Sequence, residues 1–452
     1  MRRILIVGAG QSGLQLALGL QQHGYDVTLM TSRTAEEIRG GRVMSTQCMF
    51  HGSLQTEREL GINFWESDAP LIEGLGVSVA GPDGSRPVDW VGRLRGYAQS
   101  VDQRLKMAGW LEEFAARGGQ VVVHGVTVSD LDWFARSYDL VLVSAGKGEL
   151  VSMFQRDASR SPYDAPQRAL AVTYVHGLGP RPEHDFLAVR CNLVPGVGEL
   201  FIMPTLTLSG PADILFWEGV PGGPLDVFTD IKDPGEHLEL TLDLMRTYLP
   251  WEWERTHGVE LTDAGGTLAG RYPPTVRRPV AELPSGGLVL GVADVVVAND
   301  PITGQGSNNA AKCAASYLAS ILEHGDRPFD REFMERAFDR YWDYARHVTA
   351  WTNAMLAPPP PHVLELFGAA NTCQDIADRV ANGFDTPSDF QNFFLDPAGC
   401  ADYLAELAAA GRLTPPGGDA ARPDAQPEGS DPDAGLPGPR GSRQQAEDAA
   451  HR

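Results

Sequence analysis

Six residues near the start of the chain, Gly8-Ala9-Gly10-Gln11-Ser12-Gly13, constrain the fold more than any other feature of its 452 residues. They follow an apolar run, Ile4–Val7, and open a segment that puts Leu14, Ala17 and Leu18 on one helical face. A Gly-x-Gly-x-x-Gly between a strand and an amphipathic helix is the phosphate-binding turn of a dinucleotide fold. Gly8 permits the tight turn, Gly10 lets a pyrophosphate approach the backbone, and Gly13 lets helix and strand pack closely. The first turn of that helix, with Gln11 and Ser12, offers free N–H groups and the positive end of a dipole. The next strand, Val27–Met30, should end in an acid for the ribose, but runs into Thr31-Ser32-Arg33. Thr31 or Ser32 can hydrogen-bond a ribose there, and Arg33 either stacks on adenine, meets a phosphate or is merely solvated.

The surrounding pattern extends the same architecture. A helix is expected over Val101–Ala116 and strands over Val121–His124 and Leu140–Ser144; such alternation builds a parallel sheet. Between 169 and 265 the runs Ala188–Leu193, Leu200–Leu208 and Ile214–Glu218 are separated by Gly and Pro, the mark of antiparallel β-structure. Strand Leu288–Val292 and helix Asn308–Leu322 then resume the α/β pattern, followed by a long helix, Asp330–Leu356, and a short one, Leu404–Leu413. The expected fold class is α/β. A Rossmann-like dinucleotide domain, residues 1–168 and 266–412 with C-terminal helices, is interrupted by an antiparallel β-sheet substrate domain at 169–265. Residues 413–452 contain no Phe, Trp or Tyr and are expected to be disordered.

Composition removes several classes. A net charge of −22 without any Lys/Arg run excludes nucleic acid as a partner. No apolar run reaches the ~20 residues of a membrane span, and the apolar stretch after Met1-Arg2-Arg3 is too short for a signal peptide, so the expected location is cytoplasmic. Five scattered cysteines with no CxxC argue against a disulfide framework, a metal ribbon and a dithiol redox centre.

A second motif settles the class of ligand. Gly291-Val292-Ala293-Asp294 delivers an acid from a strand, and Asp300-Pro301-Ile302-Thr303-Gly304-Gln305-Gly306-Ser307-Asn308-Asn309-Ala310 feeds a helix of small residues. A second helix N-terminus is thereby aimed at a ligand already held by the first, and FAD is long enough to use both. Asp294 suits the ribityl chain, and the turn through Gly304, Gly306 and Asn308 suits the negative edge of a reduced flavin.

With both motifs in place, the chain resembles the FAD-dependent group A/E monooxygenases with a para-hydroxybenzoate-hydroxylase-like fold. More closely it resembles the oxygenase component of styrene and indole monooxygenases. The carriers are the 8–13 turn, Gly41-Arg42-Val43-Met44 with Ser45-Thr46, Val101-Asp102-Gln103-Arg104-Leu105, Ser144-Ala145-Gly146-Lys147, Pro204-Thr205-Leu206, the 300–310 loop and Thr349-Ala350-Trp351-Thr352-Asn353. One departure is Ala293, where the family commonly has Gly; a small residue is expected to be tolerated. The resemblance adds Arg42, Arg104 and Pro301 to the cofactor side. It implies FAD reduced by a separate NAD(P)H-dependent flavin reductase, which fits the lack of a second Gly-x-Gly-x-x-Gly. With O2 this gives a C4a-hydroperoxyflavin that epoxidises the C2–C3 bond of indole or a related small aromatic alkene. A styrene epoxidase or sulfoxidase, or another flavoprotein oxidase or hydroxylase on the same scaffold, is the alternative, and a homodimer is allowed.

No side-chain acid, base or nucleophile is required by such chemistry, and the lone His51 is read as structural. The substrate pocket is expected from Ser45, Gln47, Met49 and Ala98, which match the indole branch where the styrene branch has Asn, Val, His and Ser. The spacing 45, 47, 49 puts three of them on one side of an extended segment. Met203 and Thr205 are expected from the sheet and Pro301 and Ile302 from the flavin loop, whereas Phe216 and Trp217 are read as sheet core.

Overall fold

Strand alternation and two Gly-rich turns organise the chain around two sheets. The computed structural model describes residues 2–146 and 148–413. The strands of its two large sheets are β1 (Arg3–Val7), β2 (Asp26–Thr31), β3 (Ile72–Val79), β4 (Val88–Ala98), β5 (Gln120–Val123), β6 (Leu140–Val143), β7 (Ala169–His176), β8 (Ala188–Val194), β9 (Gly198–Thr207), β10 (Gly210–Gly219), β11 (Glu260–Leu261), β12 (Thr267–Gly270), β13 (Val280–Glu282) and β14 (Leu288–Gly291). The helices that matter below are α1 (Gln11–Gln22), α2 (His51–Glu59), α3 (Gln103–Ala116), α4 (Pro234–Tyr248), α5 (Gly306–His324), α6 (Arg331–Met355), α7 (Pro361–Ala370), α8 (Gln374–Gly383) and α9 (Pro397–Ala409).

The first sheet runs β13-β14-β6-β1-β2-β5 and is parallel except for the β13–β14 hairpin. Its inner strands are apolar on both faces, as a sheet covered twice requires; Ile4, Leu5 and Ile6 are fully buried. This is the expected Rossmann-like core, with α1 behind its first turn.

The second sheet runs β11-β7-β10-β9-β8-β3-β4, with β12 also paired to β7. Two expectations need correction here. β3 and β4 come from inside residues 1–168, and β12 lies beyond 265, so the sheet is assembled from both sides of the assigned boundaries. It is also mixed, because β3 pairs with β8 in parallel. The physical reason is that β8, paired to β9 on one side only, would present an open edge; β3 fills it. The expected tail at 413–452 lies, apart from Leu413, outside the described residues.

The two faces of this sheet follow the period of two. Leu200, Ile202, Leu215 and Trp217 pack with Met245 of α4, whereas Phe201, Met203, Ile214 and Phe216 pack with Ile302, Trp351 and residues of α7 and α8. Trp217 is therefore sheet core, while Phe216 faces the side of the flavin loop.

The β4 edge is closed by side chains rather than by a strand. Asn371 and three residues at helical spacing, Gln374, Asp378 and Asn382, reach the free backbone of β4. Asp89, Arg93 and Arg95 N–H donate to Asn371, Asp378 and Asn382 at 2.9, 2.7 and 2.8 Å. Gln374 Nε2 and Asn382 Nδ2 donate to the Val91 and Arg93 carbonyls at 2.9 and 2.8 Å.

The long helix α6 begins where expected, with Asp330 accepting Phe333 N–H at 2.9 Å. The last helix starts earlier than the expected Leu404, at Pro397, because Asp396 caps it and Pro is favoured in a first turn. No helix among the described residues is long and apolar enough to cross a membrane.

Candidate active site

The three glycines of the first turn take three different roles. Gly8 has φ 119°, and a Cβ there would meet the Ser144 backbone at 2.8 Å. At Gly13 a Cβ would lie 2.0 Å from the Gly8 carbonyl oxygen, so helix and turn touch without room for a methyl. At Gly10 nothing lies within 4 Å. The turn is closed on two sides and open on the third, and α1 carries no side-chain cap at Gly10. That open, uncapped helix end is what a pyrophosphate requires.

A second helix end matches it. Gly304 has φ 62°, both Gly304 and Gly306 face open space, and α5 has no side-chain cap. Asp300 accepts Ile302 N–H at 3.2 Å and so shapes the turn Pro301–Thr303 that precedes α5. Thr303 is fixed by its hydroxyl contact with Thr352 at 2.7 Å. Asp294 is exposed and sits against Gly146, where an added methyl would approach the Asp294 Cβ to 3.3 Å. Ala293 has φ 51°, the left-handed region, among the described residues the only such non-glycine.

Between them runs the 41–50 segment. Asn308 clamps it to α5: its Nδ2 donates to Cys48 O at 2.8 Å, and its Oδ1 accepts Phe50 N–H at 3.0 Å. Beyond Ile302 and Thr303 lies a small apolar cavity of about 30 Å3. Phe201, Trp351, Phe384, Phe390 and Cys191 are among its walls. Its one hydroxyl, Thr303, is already paired. Its lining has the apolar character of a small-ligand pocket, and its side chains must part to admit an aromatic ring.

Comparison with known proteins agrees with this geometry. Residues 146–255 match the family model described as "Styrene monooxygenase A putative substrate binding domain". The chain is 32% identical over 421 residues to styrene monooxygenase StyA of Pseudomonas fluorescens, covering 90% of this chain and 100% of that protein. The chain belongs to the styrene monooxygenase family. A second StyA, from a Pseudomonas species, is also 32% identical, over 416 residues, covering 90% of this chain and 98% of its own. Among solved structures, a flavoprotein/dehydrogenase from Cytophaga hutchinsonii superposes with a TM-score of 0.62 at 12% identity, covering 90% of this chain and 99% of that one. The flavin-dependent halogenase CmlS gives 0.60 at 15%, covering 91% and 73%. The para-nitrophenol 4-monooxygenase PnpA from Pseudomonas putida gives 0.58 at 12%, covering 86% and 99%. These last three share the fold.

As a member of the styrene monooxygenase family, the chain is a two-component FAD-dependent monooxygenase, and the two open helix ends fit that cofactor. Several expected residues act differently from expectation. Arg104 is enclosed: it donates to Asp102 at 2.7 and 2.9 Å and to Asp263 at 2.8 Å through each terminal nitrogen, so its charge is spent within the protein. Gln11 turns away from the turn, donating to Glu57 at 2.9 Å, and Ser12 pairs with Ser144 at 2.9 Å. Asn308 serves as the clamp just described. Of these, Asn308 holds backbone, whereas Gln11 and Ser12 bond to side chains. Thr31 Oγ1 donates to the Arg33 carbonyl at 3.1 Å, Ser32 is exposed, and the Arg33 guanidinium reaches back to Met44. Arg42 is exposed beside the turn.

The expected substrate residues divide. Ile302 lines the cavity, and Ala98 and Met203 belong to the same apolar cluster. Thr205 is buried with its hydroxyl on Ser100 at 2.8 Å, and Pro301 is half-buried in the turn. Ser45, Gln47 and Met49 do not share one side. Ser45 is exposed, Gln47 is buried with its Nε2 on the Val101 carbonyl, and Met49 packs with Leu54 and Ala311. Asn308 and the Met49–Gln99 backbone pair fix the end of the segment, and the three side chains meet different surroundings. The cavity aromatics Trp351, Phe384, Phe390 and Phe394 were missed. The cluster Phe390-Gln391-Asn392-Phe393-Phe394 was the available signal.

Proposed function

We propose that the enzyme epoxidises the electron-rich double bond of a small aromatic alkene, with indole as the favoured substrate and a separate NAD(P)H-dependent flavin reductase supplying reduced FAD. The observation that carries the indole reading is Gln47. Its Nε2 is committed to the Val101 carbonyl, while its Oε1 is buried and has no hydrogen-bond partner among the described residues. A buried carbonyl without a donor is costly, and an indole N–H is a donor of the right kind. Styrene is the second reading. It is favoured by the cavity beyond Ile302, whose lining is almost wholly apolar: the Thr303 hydroxyl is paired, and the unpaired Trp351 Nε1 is a donor that an indole N–H cannot use.

Gly10 and the uncapped ends of α1 and α5 would hold the cofactor, with Asp294 beside its ribityl chain. Bound reduced FAD supplies an electrophilic oxygen derived from O2. The protein excludes water with its aromatic walls and holds the substrate against the Pro301–Thr303 turn. Purified enzyme with a flavin reductase, NADH and indole or styrene in parallel tests the reading. Faster indole turnover, giving blue indigo in air, supports it, together with a shift toward styrene in Gln47→Val. Faster styrene turnover by the unmodified chain without indigo overturns it.

A further inference from the structure

Behind the Pro301–Thr303 turn, three buried carboxylates share one guanidinium. Glu199 and Glu218 are direct cross-strand neighbours on β9 and β10, in register with Phe201 and Phe216 and on the same face. Glu218 is fully buried, and Glu199, Arg168 and Asp300 are nearly so. Each Arg168 nitrogen already has a partner. Its Nε and Nη2 donate to the two Glu199 oxygens at 2.9 and 3.0 Å, and its Nη1 donates to the Gln167 carbonyl at 2.9 Å. Asp300 caps the turn through Ile302 N–H. Glu218 is left over: neither carboxyl oxygen has a hydrogen-bond partner among the described residues.

An ionised Glu218 would be buried without a hydrogen bond, in the field of Asp300 and Glu199 and with only the more weakly felt Arg168, already bonded to Glu199, to offset them. It therefore keeps its proton. Burial, then those two charges, push the Glu218 carboxyl well above the usual range, and burial pushes Asp300 up to about 6. Two other titratable groups face the cluster. Tyr272, partly exposed, donates to the Asn299 carbonyl at 2.8 Å, and Cys191, opposite Phe201 on β8, has its thiol pushed up to about 12 by burial; a phenol and this thiol both stay neutral near pH 7.

A reduced flavin ring carries negative charge near neutral pH, whereas the oxidised ring is neutral. Negative charge arriving at the turn is felt first by Asp300, which begins it. We propose that Glu218 and Asp300 are a proton-holding pair that positions the cofactor turn, so that binding of reduced FAD draws a proton into the pair. Glu218 is the positioning residue and acts through Asp300. The inference rests on the FAD assignment and is independent of the substrate.

Anaerobic calorimetry of the full chain with reduced FAD, in two buffers of different ionisation enthalpy, counts the protons. The expected result is net uptake near pH 7, smaller for oxidised FAD. Affinity for reduced FAD then weakens as pH rises from 6 to 8, by up to about tenfold per pH unit if one full proton is linked. Glu218→Gln, a neutral isostere, and Asp300→Asn should each reduce the uptake and flatten the slope. Binding of reduced FAD with no proton uptake by the unmodified chain overturns the inference, even if the variants fail to fold. Unchanged uptake and slope in both variants does the same. Absence of any FAD binding would instead remove the cofactor assignment.

Discussion

Two glycines three residues apart should respond in opposite ways to one added methyl. In Gly13→Ala the new Cβ would start 2.0 Å from the Gly8 carbonyl oxygen, so α1 must retreat from β1 by more than 1 Å to reach ordinary contact. Overpacking of this kind costs about 1–3 kcal/mol, and here backbone meets backbone, which puts the cost at the upper end. Unfolding entropy of about 2.1 cal/mol/K per residue makes each kcal/mol worth about 1 °C in a chain this long. Gly13→Ala should therefore lower Tm by about 3 °C or more before any ligand is added. In Gly10→Ala the methyl meets nothing within 4 Å, and φ is −91°, a value any residue adopts. Loss of a favourable cap and the stiffer unfolded chain nearly cancel, so Tm should stay within about 1 °C. The same methyl fills the opening toward the pyrophosphate, and FAD affinity should fall at least about tenfold, about 1.4 kcal/mol. Scanning fluorimetry of the apoprotein and FAD titration by fluorescence separate the two effects. A Gly10→Ala variant that binds FAD within twofold of the unmodified chain would refute the reasoning.

Ala293→Gly should be nearly neutral in Tm. Relief of a left-handed conformation, about 1–2 kcal/mol, is offset by a looser unfolded chain and one lost buried methyl, whereas Ala293→Val should lower Tm by several degrees. Arg104→Ala should cost about 3–5 kcal/mol in denaturant titrations, because Asp102 is left buried and unpaired. His237 is buried against Phe228, and burial holds its pKa down to about 4. The unfolded chain takes up a proton near pH 6.5 and the folded one only near 4, so stability at this residue is full above about 6.5 and falls between those values. His237→Gln should flatten that part of the pH–stability curve; an unchanged curve would remove this source.

Much of the dinucleotide half was legible because its signals are local. Gly8, Gly10 and Gly13 sit within one turn, and the 300–310 loop repeats the logic. β3 and β4 were not legible. Glu73-Gly74-Leu75-Gly76 and Gly92 through Gly96 carry the wrong residues for a strand. The structure shows why they are there: a Cβ on Gly92 would lie 2.1 Å from the Ala377 carbonyl oxygen, and one on Gly96 would strike His51. Those glycines admit neighbours brought in from distant sequence, which no local pattern reveals. The 45, 47, 49 spacing failed for a related reason. Period-two spacing does not say what will cover each side chain, and the partner that clamps this segment, Asn308, lies some 260 residues away.

The side chains of Asn371, Gln374, Asp378 and Asn382 make α8 a stand-in for a missing strand, one that cannot be copied. A strand laid on β4 would expose a fresh edge and invite the next; a helix laid there exposes only its outer surface. The cover is held by apolar packing as well as by the rim contacts: Ile376, Ala377, Val380 and Ala381 are all buried, so lifting α8 must break both. Each lifting uncovers an 11-residue template, β4, able to recruit another chain.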